Sequence, residues 1–156
     1  MTAFARRAAR PEPMRVPRSL DEDPGLVLAD STWGEIQPIE LAPGVRVVGE
    51  REVIAHIESG GRCYDSRRRE AFAAGTIPGV SSLPHDGIAE RRAELDASRS
   101  AVFFCNGPQC GATPTAVRAL LAAGHPAELI LYYRGGLHDW VTLGLPVAVP
   151  SKPLLG

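Results

Sequence analysis

The chain has 156 residues, of which 44% are hydrophobic, and a formal net charge of −1 at pH 7. This length and composition suffice for one hydrophobic core and exclude a chain that is disordered throughout. The nearly neutral charge gives no reason to expect nucleic acid or an anionic membrane surface as a partner.

The sequence carries no signal for a membrane or for export. No apolar stretch approaches the roughly eighteen residues of a membrane span, and the amino terminus lacks the apolar centre of a secretory signal. We therefore expect a cytoplasmic protein. Its cysteines are Cys63, Cys105 and Cys110, and this odd number without an export signal predicts reduced thiols rather than a disulfide framework.

The first 44 residues differ in composition from the rest of the chain. Residues 1–23 combine five arginines with an acidic cluster and are predicted to form a mobile arm. Residues 24–44 are too apolar for a linker, but Pro38 and Pro43 interrupt them, so we expect an irregular extension packed on the domain. The domain itself is predicted over residues 45–149, with a C-terminal tail over residues 150–156.

From Val45 onward, segments typical of strands alternate with segments typical of helices. The predicted strands are Val45–Val48, Cys63–Asp65, Val80–Leu83, the run that ends at Phe104, and Leu129–Tyr133. The predicted helices are Glu50–Ser59, Glu70–Ala74, Asp86–Leu95 and one that begins around Thr113 and Pro114. This alternation predicts an α/β fold, with a mainly parallel five-stranded sheet and helices on both faces.

Cys105 follows the apolar strand residues Ala101–Phe104 and precedes a loop rich in glycine and proline. Thr113 and Pro114 have the residue types of an N-cap and a first helical residue. Loop N–H groups and the helix N-terminus would surround the sulfur of Cys105 and favour the thiolate, which is the nucleophilic form. Ligands bind beyond the carboxyl ends of parallel strands, where this cysteine is predicted to lie. The alternative is a small buried hydrophobic residue.

Three further motifs accompany this cysteine. Asp65–Arg67 (Asp-Ser-Arg) ends the second predicted strand, and Gly75–Val80 (Gly-Thr-Ile-Pro-Gly-Val) leads to Leu83-Pro84. Arg134–Trp140 (Arg-Gly-Gly-Leu-His-Asp-Trp) is followed by Gly144–Val147 (Gly-Leu-Pro-Val). In these motifs, their order and their spacing, the chain resembles the rhodanese family of sulfurtransferases over roughly residues 45–149. The resemblance implies the rhodanese-like form of the α/β fold.

The resemblance also implies sulfur transfer through Cys105. Its thiolate would attack the outer sulfur of a donor such as thiosulfate and form a persulfide, whose terminal sulfur passes to a thiol or to cyanide. The loop that would cradle the persulfide anion consists of Asn106, Gly107, Pro108, Gln109, Cys110, Gly111, Ala112 and Thr113. No metal, flavin or nucleotide is implied. The expected partner is a small sulfur donor or a persulfide-bearing protein, and a homodimer stays open.

The loop lacks the arginines that usually follow the cysteine in this family. The first arginine after Cys105 is Arg118, inside the predicted helix. Arg134, at the end of the fifth predicted strand, is the candidate substitute for contact with an anionic donor. Phosphatases that share this fold need an arginine six residues beyond the cysteine. That residue is Gly111 here, so phosphatase and arsenate reductase activities are excluded.

Cys110 lies five residues after Cys105 in the same loop. It is a candidate resolving thiol, able to attack a persulfide or a sulfenic acid on Cys105 and form a disulfide. A small loop residue without chemistry is the equal alternative. Two other functions therefore stay open, a non-catalytic rhodanese-like binding module and a thiol redox sensor that uses both cysteines.

Four residues of the motifs are predicted to support the loop rather than to touch the substrate. Asp65 and Arg67 would join the strand end to the following loop through an ion pair. Gly135 and Gly136 would let the backbone approach the loop closely. The four histidines lack ligand spacing with the cysteines, so no metal site is predicted.

Overall fold

The computed structural model describes residues 35–150 and two short strands that precede them. These strands are β1 (Arg18–Ser19) and β2 (Val27–Leu28), which pair in antiparallel orientation. The remaining residues of the predicted arm, the rest of the extension up to residue 34, and the tail after residue 150 lie outside the described residues.

A five-stranded parallel sheet forms the centre of the domain. Its strands are β3 (Arg46–Val47), β4 (Arg62–Asp65), β5 (Ser81–Ser82), β6 (Ala101–Phe104) and β7 (Ile130–Tyr133). Their order across the sheet is β3-β7-β6-β4-β5, and every neighbouring pair is parallel. The predicted parallel sheet is confirmed. The edge strands β3 and β5 have two residues each, fewer than predicted, because only these residues pair with a neighbouring strand.

Successive residues of the central strands point to opposite faces of the sheet. In β6, Phe103 belongs to one hydrophobic core and Phe104 to the other, and Tyr132 and Tyr133 of β7 divide in the same way. All four side chains are buried. Burial on both faces explains why these strands appear in the sequence as continuous apolar runs rather than as alternating patterns.

The described helices are α1 (Glu50–Glu58), α2 (Arg69–Ala74), α3 (Ala112–Ala122) and α4 (Gly136–Thr142). Helix α3 contributes Val117 and Leu120 to one core. Helix α1 contributes Val53 to the other core, and α4 contributes Leu137 and Trp140. Helices therefore cover both faces of the sheet, as predicted. Within the described residues, no helix is long and apolar enough to cross a membrane.

The predicted helix over Asp86–Leu95 is wrong. The segment consists of turns and a single 3-10 turn at Arg92–Glu94. Gly87 near its start has φ of +70°, which is outside the right-handed helical region, so a helix cannot propagate from Asp86. Ile88 and Leu95, the residues expected to face inward, are nevertheless buried in the core.

Candidate active site

Cys105 lies directly after the central strand β6, with β4 and β7 on either side. The loop from residue 106 to residue 111 then leads to the first residue of α3, Ala112. The cysteine is therefore at the carboxyl end of the sheet, in the position that the sequence predicts. Only 2% of its surface is exposed.

The start of α3 differs from the prediction by two residues. Gly111 is the N-cap, and Thr113 and Pro114 lie within the first turn. The backbone N–H of Thr113 is one of those that an α-helix leaves without an internal acceptor. It donates to Cys105 Sγ over 3.4 Å, so the helix N-terminus faces the sulfur even though the cap is Gly111 rather than Thr113.

The loop carries two cysteines that contact each other. The Cys105 thiol donates to the Cys110 carbonyl oxygen over 3.6 Å, and each thiol shifts the pKa of the other. The backbone amides of Asn106 and Ala112 donate to the Cys110 sulfur. Both cysteines are free thiols. The amides that were predicted to surround Cys105 are therefore shared between two sulfur atoms.

The two cysteines also differ in charge. Burial raises the pKa of the Cys105 thiol well above its ordinary value, and the neighbouring Cys110 raises it further. The hydrogen bond from Cys105 lowers the pKa of Cys110 to about 6, with help from the Asn106 and Ala112 amides and the charge of Arg67. These directions favour a negative charge on Cys110 over one on Cys105. The deep burial of Cys105 opposes a resting thiolate there, and its role as the nucleophile stays a prediction.

Asp65 and Arg67 form the predicted ion pair, with 2.7 Å between Asp65 Oδ2 and Arg67 Nη2. Both residues are buried. The backbone N–H of Arg67 donates to Asp65 Oδ1 over 3.0 Å, and the Thr76 hydroxyl donates to Oδ2 over 2.8 Å. Arg67 also donates to the Asn106 Oδ1 atom over 3.3 Å and to the Gly75 carbonyl over 2.6 Å. The pair thus joins β4 to the cysteine loop, which brings a guanidinium charge toward Cys110.

Helix α4 supports the loop from its other side. The amide of Leu137 donates to the Cys105 carbonyl over 3.0 Å, and the amide of His138 donates to the Asn106 carbonyl over 2.7 Å. Gly136 has φ of +61°, and a Cβ atom there would lie 2.5 Å from the Cys105 carbonyl oxygen. The close approach predicted at Gly136 is present. At Gly135, a Cβ would instead meet the side chain of Asp139 in the same helix.

Arg134 lies next to the loop, but its guanidinium already has a protein partner. Nη2 and Nε of Arg134 donate to the Gln37 carbonyl over 2.8 and 3.2 Å. The Gln37 amide in turn donates to the Pro108 carbonyl over 2.8 Å. We call residues 35–39 the strap, because Gln37 fastens this segment to the cysteine loop. No sequence pattern signals this role, since both contacts use the backbone of Gln37.

Tyr132 is a second residue that the sequence patterns did not identify. Its hydroxyl is buried and finds no hydrogen-bond partner among the described residues. Burial raises the pKa of Tyr132, and the charges of Cys105 and Cys110 add to this effect. Tyr132 and Arg134 are two residues apart along the chain, so strand periodicity could have placed both on the face that carries Cys105.

Comparison with known proteins identifies the domain. The family model for the rhodanese-like domain matches residues 50–143. The HTH-type transcriptional regulator Rv0324 of Mycobacterium tuberculosis is 37% identical over 83 residues, which cover 53% of this chain and 35% of that protein. The chain thus spans about a third of the length of the curated relative it matches.

Solved structures share this fold. A thiosulfate sulfurtransferase from Pseudomonas aeruginosa is 25% identical with a TM-score of 0.54, over 67% of this chain and 20% of that one. The rhodanese-like domain of the Anabaena protein Alr3790 has 24% identity and a TM-score of 0.55, over 70% and 84% of the two chains. A Lactobacillus plantarum protein has a TM-score of 0.57 at 23% identity, over 65% and 86%. The chain belongs to the family of rhodanese-like domain proteins.

Proposed function

We propose that this protein is a sulfurtransferase that moves sulfane sulfur from a donor to a thiol or cyanide acceptor through a persulfide on Cys105. The observation that carries the proposal is the free thiol of Cys105, which directly follows the central strand β6 and faces the N-terminus of α3. The Thr113 amide, 3.4 Å from Cys105 Sγ, would stabilise the charge of a sulfur anion there.

Ionisation of Cys105 is the first step of the proposed reaction. Cys110, whose pKa is lowered to about 6, accepts the proton of the Cys105 thiol as its thiolate. Cys105 Sγ then attacks the outer sulfur of the donor, and the sulfur–sulfur bond of the donor breaks. The remainder of the donor leaves with the electron pair of that bond, as sulfite from thiosulfate or as a thiolate from a small persulfide.

The charges of the loop favour a persulfide donor over thiosulfate. Thiosulfate is a dianion, and a thiolate at Cys110, whose pKa is lowered to about 6, would repel it. Arg134, the candidate anion contact, donates to the Gln37 carbonyl instead, and Arg118 is exposed on α3. A persulfide carried by a thiol of low charge meets less repulsion, so we expect it to react faster.

Release of the donor's leaving group tests the proposal, because this release does not depend on the later fate of the sulfur. The reduced protein is mixed with thiosulfate or, separately, with cysteine persulfide, and the released sulfite or cysteine is measured. We expect one equivalent per chain from the wild type and from Cys63→Ser, which lacks a buried thiol of β4. The Cys105→Ser variant should release none.

Two outcomes would contradict the proposal. If the wild type cleaves neither donor, the domain does not transfer sulfur, and a binding module becomes the better explanation. If Cys105→Ser cleaves the donor as well as the wild type does, another thiol carries the sulfur.

A thiol redox sensor is the second candidate, and the contact between Cys105 and Cys110 favours it. The relative Rv0324 carries a similar segment and is named a transcriptional regulator. A sensor would form a disulfide after peroxide oxidises one thiol to a sulfenic acid, with release of water. A protein that forms this disulfide but cleaves neither sulfur donor would fit the sensor and not the transferase.

A further inference from the structure

We infer that Cys110 resolves the Cys105 persulfide, forming a Cys105–Cys110 disulfide and releasing the terminal sulfur as hydrosulfide. The inference rests on the proposed function, because it requires sulfur to be loaded on Cys105. It adds a product, hydrosulfide, and a second substrate class, a dithiol reductant that restores the two thiols.

The contact between Cys110 and the sulfur of Cys105 indicates which atom Cys110 attacks. Cys105 Sγ lies 3.6 Å from the Cys110 carbonyl oxygen, and this sulfur becomes the inner sulfur of the persulfide. Attack on the inner sulfur produces a disulfide, whereas attack on the outer sulfur would move the persulfide to Cys110. The existing contact therefore favours the disulfide.

The loop also stabilises Cys110 as a nucleophile. The backbone amides of Asn106 and Ala112 and the positive charge of Arg67 favour its thiolate form. Arg67 is held in place by the buried Asp65 carboxylate and by its contact with Asn106 Oδ1. These contacts lower the pKa of Cys110, so the cysteine gives up its proton readily when it attacks.

The step balances in atoms and electrons. A bond forms between the Cys110 sulfur and Cys105 Sγ, and the bond between Cys105 Sγ and the terminal sulfur breaks. The terminal sulfur leaves with the electron pair of that bond and takes the proton of the Cys110 thiol, as hydrosulfide. The two cysteines lose two electrons and the sulfane sulfur gains them. An external dithiol then reduces the disulfide by thiol–disulfide exchange.

Cys63 provides a matched control, because it is a thiol outside the loop. It lies within β4 and is 3% exposed. Burial and the charge of Asp65 raise the pKa of its thiol, which makes it a poor nucleophile. Cys110, by contrast, contacts Cys105 Sγ through its carbonyl oxygen.

The experiment follows the sulfur after one turnover. Reduced wild type, Cys110→Ser and Cys63→Ser proteins are mixed without oxygen with one equivalent of cysteine persulfide. Released cysteine, released hydrosulfide and the intact mass of the protein are measured, and peptide mapping locates the modified cysteine. Cys110→Ala repeats the measurement without a hydroxyl at this position.

For wild type and Cys63→Ser we expect hydrosulfide in step with cysteine, a protein mass lower by two hydrogens, and a linked peptide pair of Cys105 and Cys110. Dithiothreitol should restore the thiols and allow further turnovers. Both Cys110 variants should still cleave the donor, but more slowly, because they lack the thiolate that accepts the Cys105 proton. They should retain one additional sulfur on Cys105 that cyanide removes, and release at least about tenfold less hydrosulfide for each cysteine released.

The possible failures are distinct. A wild-type protein that cleaves the donor but keeps the sulfur on Cys105, or passes it to Cys110 as a persulfide, overturns this inference and leaves the proposed function standing. A failure of both the wild type and the Cys110 variants to cleave the donor overturns the proposed function, and this inference with it.

Discussion

Cys105 and Cys110 divide two properties that are usually combined in one catalytic cysteine. Cys105 lies at the end of β6 and faces the Thr113 amide, where a nucleophile is expected. Cys110 has the lowered pKa, because the hydrogen bond from Cys105 and two backbone amides favour its thiolate. A site of this kind needs a proton transfer between the thiols before Cys105 can react, so its pH dependence is set by the pair rather than by either cysteine alone.

The charge on Cys110 leads to a prediction about its alkylation. Because its pKa is lowered to about 6, the cysteine is mostly protonated below that pH and mostly thiolate above it. The rate of reaction with iodoacetamide should therefore rise with a midpoint near pH 6, with peptide mapping used to assign the label to Cys110. In Cys105→Ala the midpoint should move upward, because the main cause of the lowered pKa is the hydrogen bond from Cys105, which alanine cannot donate.

Cys63→Ser serves as the control for this measurement and should leave the midpoint unchanged. A wild-type midpoint near the ordinary cysteine value of 9.0 would show that the loop does not hold a thiolate.

Single residues were predictable from the sequence where a local pattern determines their position. The apolar run before Cys105 located it at a strand end, and the spacing of Asp65 and Arg67 allowed an ion pair across one intervening residue. The distribution of charge between the two cysteines was not predictable, because it depends on how deeply each sulfur is buried. The role of Gln37 was not predictable either, since a backbone contact leaves no mark on the residue type.

At the scale of elements, α4 and the cysteine loop form one unit, joined by the Leu137 and His138 amides. Gly136 makes this approach possible. Its φ of +61° and the 2.5 Å that would separate an added Cβ from the Cys105 carbonyl oxygen are two separate obstacles to any larger residue. The element that carries the last motif of the sequence therefore shapes the loop as well as covering the core.

A comparison of Gly136→Ala with Gly144→Ala should separate the effect of backbone strain from the effect of steric overlap with the loop. Gly144 also has a positive φ, +75°, but a Cβ there meets nothing within 4 Å. We expect Gly144→Ala to lower the free energy of unfolding by about 1 kcal/mol, from backbone strain alone. Gly136→Ala should cost about 2 kcal/mol more, because the added methyl group overlaps the loop, and it should also reduce donor cleavage.

Urea denaturation measures the first effect, and release of the donor's leaving group measures the second. Equal losses of stability in the two variants, with cleavage intact in both, would contradict a steric role for Gly136.

The elements themselves were predictable to different degrees. Strands β6 and β7 and helix α1 were predicted to within a residue, because long apolar runs and helical spacing are strong local signals. The segment from Asp86 to Leu95 has the apolar spacing of a helix, yet the positive φ of Gly87 and contacts with the core override it. Spacing alone does not distinguish a helix from a chain of turns that buries the same two side chains.

At the scale of the whole molecule, residues 35–44 extend the domain beyond the segment that the family model matches, which begins at residue 50. Leu41 and Ala42 pack against one of the two cores. Gln37 adds hydrogen bonds to the loop and to Arg134. The extension therefore contributes to the stability of the domain as well as to the surroundings of the site.

Two truncations should measure this contribution. Removal of residues 1–34 gives the reference protein, and removal of residues 1–44 takes away the strap, Leu41 and Ala42 as well. The longer truncation should lower the free energy of unfolding by about 2–4 kcal/mol relative to the shorter one, from partial burial of Leu41 and the lost hydrogen bonds. Chemical denaturation of both proteins measures the difference, and equal stabilities would show that the extension does not support the fold.

The strap connects the backbone before the domain to the cysteine loop. Gln37 connects by its amide to Pro108 and by its carbonyl to Arg134, so the polypeptide reaches the domain directly over the loop that bears both thiols. A movement of the backbone at residue 35 is only two residues away from Gln37, whose amide is bonded to the cysteine loop. In the reverse direction, a crosslink between Cys105 and Cys110 would shift Pro108 and alter the hydrogen-exchange protection of the Gln37 amide. Hydrogen exchange at Gln37 would therefore report whether the two cysteines are reduced or joined by a disulfide.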